Sequence, residues 1–275
     1  MSILQLELTQ GLVQKRPSVS CKTPYVADVI YNNETVMVHT PALGCCGLCD
    51  KGSQILMSKV ESKKNVCTYR ADLALFYEPK LKKNILIGTN PKLAEQLIDN
   101  CLKQNKLWFL KDYQEFKREK KIENTNSRFD FAGIDKDGMP FALEIKNVPL
   151  ADYVDCTEKD KKKMDMSIFD EKKYNEKIAY FPDGYRKTAK GPISLRAIKH
   201  LQDLMFLKQE GKYRPIICYV IQREDAGYFQ PSVIDQTYRD VFYEAQSKGV
   251  EIYAMQFKWN EYGEAHILNE NVTIL

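Results

Sequence analysis

The chain has 275 residues, enough for two modest domains or one large one. Hydrophobic residues make up 44% and charged residues 28%, a globular composition that excludes a disordered or fibrous chain. The formal net charge of +4 admits a polyanionic partner without requiring one, so a local basic cleft matters more than the total.

The opening "MSILQLELTQ" lacks a basic segment followed by an apolar core, and no apolar run reaches membrane-spanning length. The expectation is an intracellular protein, cytoplasmic or associated with the nucleoid or nucleus, neither secreted nor membrane-bound. The eight cysteines are then reduced thiols. "CCGLC" holds a C-x-x-C pair, Cys46 and Cys49, downstream of His39. No second pair completes a four-ligand zinc site, and small residues packing a loop are the favoured reading.

The first part of the chain reads as short strands. "YVADVIY" and "TVMVHT" flank a turn at Asn32 and Asn33, and "SQILMSKV" and "VCTYRADLALFY" flank the charged turn "ESKK". With no helical pattern before residue 88, residues 1–88 are expected to form a small β-barrel or sandwich, with an oligonucleotide-binding (OB) barrel among the candidates. Lys15, Arg16, Tyr69 and Arg70 supply basic and aromatic groups for a binding face, and a solvated strand face has the same composition.

From residue 89 the pattern changes. "TNPKLAEQLIDNCLKQN" offers Asn90 as helix cap, Pro91 in the first turn, and Leu93, Leu97, Ile98, Cys101 and Leu102 at helical spacing. Three strands follow, "YQEFKRE", "SRFDFAGI" and "FALEIKNV", then a charged insertion at about 155–179, read as a surface loop or a flap over a cleft. A helix over 192–210, strand "PIICYVIQR", helix "IDQTYRDVFYEAQSKG" and strand "VEIYAMQF" complete an α/β pattern with a mixed sheet over residues 89–275. The overall class is α+β.

The chemistry concentrates in the second and third of those strands. Side chains alternate faces along a strand, so Phe141, Leu143 and Ile145 oppose Glu144 and Lys146, and Phe129 and Phe131 oppose Arg128 and Asp130. A hairpin centred on Asp137 puts Asp130 opposite Glu144 and Arg128 opposite Lys146. Opposed carboxylates are unfavourable in a sheet unless a hard divalent cation, Mg²⁺ or Mn²⁺, sits between them. A neighbouring lysine then stabilises charge on a phosphate. From spacing alone, a metal-dependent phosphodiesterase centre and an exposed mixed-charge hairpin both remain open.

At these residues the chain resembles the PD-(D/E)XK nuclease superfamily and, more closely, the sugar fermentation stimulation protein (SfsA) family. The resemblance rests on "SRFDF", "LEIKNVPL", "FPDG", "RAIKHLQDLM" and "YVIQREDAGYFQPSVIDQTYRDVFYEAQSKGVEIYA", which occur in that order, and on "VHTPALGCCGLCDKG" in the first part. It implies an OB-like barrel followed by a restriction-endonuclease-like domain. It implies that Asp130 and Glu144 are metal ligands and catalytic residues, and that Lys146 is the motif lysine. Glu119, in "KREKK", would be a third acid at the metal. Arg196, Lys199 and His200 match R-x-x-K-H and lie at helical spacing suited to a phosphate backbone. Arg128, Arg223 and Arg70 join them as expected nucleic-acid contacts, with Gln222 beside the cleft. The chain departs from the family pattern at Ala42 and Cys45, where an asparagine and an arginine are usual, and in the lengths around "FPDG", which bear on Asp183 and Arg196. The functional expectation is a nucleic acid-binding protein, DNA being the expected partner, with a divalent-metal nuclease site. The alternative is a non-catalytic DNA-binding or regulatory protein that keeps the nuclease fold.

Overall fold

The structure, a computed structural model, describes residues 2–42, 47–61, 66–182 and 192–275. Cys45, Cys46 and Asp183 lie outside the described residues, as does most of the "ESKK" turn.

The first strand, β1 (Leu4–Gln5), pairs far away in sequence, with residues 264–265, and Ile3 is buried beside it. A barrel then follows from β2 (Thr9–Lys15), β3 (Val26–Tyr31), β4 (Glu34–His39), β5 (Gln54–Lys59), β6 (Tyr69–Glu78) and β7 (Lys83–Gly88). Asn32 and Asn33 adopt left-handed φ values of 51° and 63°, which turn β3 into β4 with the twist that a two-residue hairpin needs. The antiparallel order β4-β3-β2-β5-β6 closes through a parallel β4–β6 pairing of Val38 with Tyr69 and His39 with Arg70. That is the five-stranded connectivity of an OB barrel, with β7 added at its edge. Val13, Val29, Val38, Ile55, Met57 and Ala71 fill it.

Only two residues separate β7 from α1 (Pro91–Lys103). The Asn90 side chain accepts from the Lys92 amide at 3.1 Å, capping the helix as its sequence predicts. Next come β8 (Glu115–Lys121), β9 (Arg128–Ile134), β10 (Pro140–Val148), β11 (Ala151–Asp152), the short α2 (Glu158–Lys161) and β12 (Lys177–Phe181). The chain finishes with α3 (Leu195–Glu210), β13 (Arg214–Ile221), β14 (Ala226–Pro231), α4 (Gln236–Ser247), β15 (Glu251–Trp259), β16 (Glu264–Asn269) and β17 (Thr273–Ile274).

A seven-stranded sheet, ordered β1-β16-β15-β13-β10-β9-β8, is parallel across β10, β13 and β15 and antiparallel elsewhere. Helices cover both faces, which is why β13 reads as a continuous apolar run. On one face α1 buries Leu93, Leu97 and Leu102 against Phe131, Phe141, Leu143 and Val220. On the other, α3 and α4 bury Leu201, Leu204, Tyr238 and Phe242 against Phe129, Ile217, Tyr219 and Ile221. The order α1-β8-β9-β10-α3-β13 is the restriction-endonuclease-like arrangement. A third sheet, β11-β12-β14-β17, flanks it. The charged 155–179 segment contains α2, a single 3₁₀ turn at Met166–Phe169, and the start of β12.

The barrel is welded to this domain. Lys177 donates to Glu78 of the barrel and, at 2.6 Å, to Asp225, which also holds Arg223 at 2.6 Å; all four side chains are buried. Gly88 donates its amide to the Gln222 carbonyl at 2.9 Å, and an added Cβ there would lie 2.3 Å from Gln222 Oε1, so only glycine fits.

Candidate active site

Strands β9 and β10 pair Phe141 with Gly133 and Leu143 with Phe131, the register centred on Asp137. One expectation fails in detail: Phe129 and Phe131 do not share a core. Phe131 packs under α1, whereas Phe129 faces α3. The regular β9–β10 ladder stops at Phe131, and the β8–β9 ladder passes from Arg118↔Phe131 to Lys120↔Phe129 with no Glu119–Asp130 pair between them. Glu119 there has φ of 48°, a left-handed residue inside a strand. Such an irregularity re-aims side chains. The Asp130 carboxylate turns in and accepts from the Ile145 amide at 2.7 Å.

A cleft of about 340 Å³ opens over these strand ends. Glu95, Asp130, Glu144, Lys146, Asn147 and Arg196 supply its polar lining, with Thr89, Pro91, Pro149 and Phe181 around them. Glu144 is 2% exposed. Its Oε1 accepts from Lys146 Nζ at 2.6 Å and from His200 Nδ1. Arg196 Nε donates to His200 Nε2 at 3.4 Å, which leaves Nδ1 to carry the ring proton toward Glu144. Both donors use one carboxylate oxygen. The other, Oε2, is buried without a hydrogen-bond partner.

The electrostatics separate the two acids. Burial pushes the Asp130 carboxyl up, and the Glu144 charge adds to it; the Ile145 amide and Lys146 oppose, and the result is about 8. Burial also pushes Glu144 up, but Lys146 and the His200 hydrogen bond outweigh it, leaving Glu144 below the usual carboxylate range. Glu95 is raised chiefly by burial, with Arg118 opposing.

Divalent-cation binding can be tested against these groups. An unpartnered buried carboxylate oxygen on Glu144, beside a second carboxyl whose ionisation is suppressed by desolvation and then by the Glu144 charge, is the donor chemistry a hard cation satisfies. The fit is to a pair of acids with Glu95 at the cleft wall. Among the described residues, no group of three or more His, Cys, Asp or Glu side chains is arranged to hold a metal by itself.

The remaining expected residues fall in different places. Glu119 is 66% exposed at its side chain and lies 3.8 Å from Arg128, facing solvent and not the cleft. Glu95, on α1, lines the cleft in its stead; a search for apolar periodicity passes over it, and its sequence signal is only an acid on the solvent side of a capped helix. Arg128 is exposed and faces Glu119, not Lys146. Lys199 is exposed and reaches the Asn126 carbonyl at 3.2 Å. His200 is 4% exposed, so the helix face shared by Arg196 and Lys199 does not include it; it braces Glu144 from beneath. Arg223 is 3% exposed in the barrel junction, where Asp225 and the Pro149 carbonyl occupy it, and it presents no surface for a strand. Gln222 is fully buried, bonded to Asn147 at 2.7 Å and to Trp259 at 3.1 Å. In the barrel, the Arg16 side chain is buried and donates to the Pro24 and Ala42 carbonyls, while Arg70 pairs with Asp72 at 2.8 Å and borders a second cavity. Cys49 is fully buried in the barrel core.

An OB-type barrel fused to a restriction-endonuclease-like domain, with an acid, acid and lysine set at its strand ends, defines the structural class. The model of the sugar fermentation stimulation protein RE domain (SfsA) matches residues 92–158 and 167–263, leaving out part of the charged segment. A sugar fermentation stimulation protein homolog of Crocosphaera subtropica is 30% identical over 85% of this chain and 84% of its own length. The homolog of Idiomarina loihiensis is 27% identical over 90% of each chain. Among solved structures, Pyrococcus furiosus SfsA in complex with Ca²⁺ superposes with a TM-score of 0.75, covering 100% of this chain and 99% of its own, at 17% identity. The chain belongs to the SfsA family. Among the described residues, no helix is long and apolar enough to cross a membrane.

Proposed function

We propose that the chain is a nucleic acid-binding protein whose cleft hydrolyses phosphodiesters, with DNA the expected substrate. The observation that carries this reading is the unpartnered, buried Glu144 Oε2 beside Asp130 and Lys146. Asp130 and Glu144 would hold a divalent cation, Mg²⁺ or Mn²⁺, with Glu95 at its outer side. When bound, that cation supplies positive charge to a phosphate oxygen and lowers the pKa of an attacking water. The chain's own groups do the rest. His200 and Arg196 hold Glu144 in one rotamer, so its free oxygen keeps its direction. Lys146 stands in the cleft to stabilise charge that develops on the phosphate, and Arg196, at the cleft rim, suits a neighbouring phosphate oxygen. The Ca²⁺ named with the Pyrococcus furiosus protein supports a hard-cation preference for this fold.

A second reading follows from a specific feature. Lys146 is tied to Glu144 by a 2.6 Å hydrogen bond, and a lysine held there neutralises the acid without turnover. This is the non-catalytic DNA-binding protein. Labelled single- and double-stranded DNA and RNA, incubated with Mg²⁺, Mn²⁺ or chelator, separate the two. Metal-dependent cleavage is expected from the wild type and a loss of about 10²- to 10³-fold from Lys146→Met, with Glu144→Gln at least as low. Absence of cleavage with salt-sensitive binding retained would establish the second reading and refute the first.

A further inference from the structure

A second cavity, also of about 340 Å³, lies at the barrel's closing seam. The parallel β4–β6 pairing sets His39 beside Arg70, and Lys92 of α1 projects from the next wall. Pro41, Val60, Val66 and Cys67 form its apolar side, and no acid is found among its described lining residues. Asp72 lies behind the wall, fully buried, and holds Arg70 through Nε at 2.8 Å and Asn90 at 2.6 Å. Arg70 is therefore fixed in direction. The His39 imidazole is held below its ordinary value by burial and then by the positive charge of Arg70 and Lys92, so the three groups share one field.

The two cavities share a thin wall. Along 89–92, Thr89 and Pro91 open to the acidic cleft, while Asn90 and Lys92 open to the seam cavity. Likewise Ala42 lines the first and Pro41 the second. From Lys92 to Glu95 the helix rises only about 4.5 Å. A cationic, half-apolar pocket one residue away from a phosphodiester site has the chemistry of a nucleotide: phosphate on the cations, base against the aliphatic side.

We propose that the seam cavity is a subsite for the nucleotide next to the phosphate held in the acidic cleft, and that it accepts that nucleotide from a single strand. A base must leave its stack to enter a concave pocket, which paired DNA resists. The cavity therefore favours single-stranded or frayed substrate. The inference rests on the reading that the chain takes nucleic acid, and it does not require cleavage.

The test is equilibrium binding in chelator of a fluorescent single-stranded oligonucleotide, the same sequence as blunt duplex, and a mononucleotide. The wild type is compared with Lys92→Gln and His39→Gln. Lys92 is exposed, so its variant keeps the fold, which a thermal melt verifies. The expected result is about tenfold weaker single-strand binding in each variant, a smaller loss for duplex, and weak mononucleotide binding throughout. In Lys92→Gln the logarithmic salt dependence should also become shallower by about 0.7. Unchanged single-strand affinity, equal losses for strand and duplex, or a mononucleotide bound as tightly as the strand would each overturn the subsite. Cleavage that survives alongside unaffected binding removes this inference alone. Seam-dependent binding without any cleavage removes only the catalytic reading.

Discussion

In chelator the Asp130 carboxyl should make the protein less stable as pH rises, and replacing it should abolish that loss. Its folded-state pKa, about 8, lies above the ordinary 3.8 of the unfolded chain. Between those values the folded state keeps a proton that the unfolded chain has released. Stability is therefore fully present below pH 3.8 and falls through the window, by about 1.4 kcal/mol per pH unit at its steepest. Summed from 3.8 to about 8, the contribution is at most roughly 6 kcal/mol. Glu144 works the other way, since its lowered value contributes stability above the ordinary glutamate range and loses it on acidification. A raw pH profile mixes the two, so the comparison is with Asp130→Asn, which retains an acceptor for the Ile145 amide but cannot titrate. Urea unfolding at pH 4 through 8 in chelator reads the difference directly. Asp130→Asn should gain on the wild type by several kcal/mol across that range. Saturating Mg²⁺ should reverse the order, because the cation stabilises the ionised pair and the variant has lost one of the two acids. A difference that stays flat with pH would refute the account of Asp130 as a half-buried acid whose ionisation is suppressed by desolvation and then by Glu144.

Two further substitutions test other parts of the structure. His200→Ala removes a buried donor to Glu144, and divalent-cation affinity by calorimetry should fall about 10- to 100-fold while oligonucleotide binding in chelator is unchanged; the opposite pattern would make His200 a strand contact. Lys177→Met strands Glu78 beside Asp225 in the barrel junction and should cost about 3–5 kcal/mol, with Glu78→Gln on the same background recovering part of it; a cost below about 1 kcal/mol would show that the junction is not held by this pair.

The hairpin register was legible because two constraints agreed: the alternating apolar residues from Phe141 to Ile145, and a turn whose centre places Asp130 near Glu144. The cap at Asn90 was legible because its chemistry is local. What escaped was non-local or irregular. Two-residue β1 has no pattern of its own, and its partners lie some 260 residues away, at Glu264 and Ala265. The third sheet is built from short strands with long-range partners. At Glu119 a single left-handed residue decides that the side chain faces outward, and period-two counting assumes no such residue. The burial of His200, Gln222 and Arg223 follows from what α3 and the barrel pack against, which spacing along one segment does not reveal.

The junction gives these pieces a common consequence. Glu95 stands on α1, Asp130 and Glu144 on the β9–β10 hairpin, Arg196 on α3, and the seam residues His39 and Arg70 on the barrel. With a flexible linker after β7, the last two would sample many positions relative to the acids. Instead Thr89 and Asn90 donate their amides to the Asp72 carbonyl, at 2.9 and 3.3 Å, so the connection is hydrogen-bonded to the barrel. Gly88 is bonded to Gln222, Gln222 to Asn147, and Asn147 lines the acidic cleft. The buried Glu78–Lys177–Asp225–Arg223 cluster adds a second fixed point. Buried ionic groups stabilise little in net terms, but they penalise every arrangement in which their partners separate. The barrel is consequently a fixed wall of the cleft. A strand crossing Thr89–Lys92 would meet both cavities in one set register, without the entropy cost of docking a tethered domain.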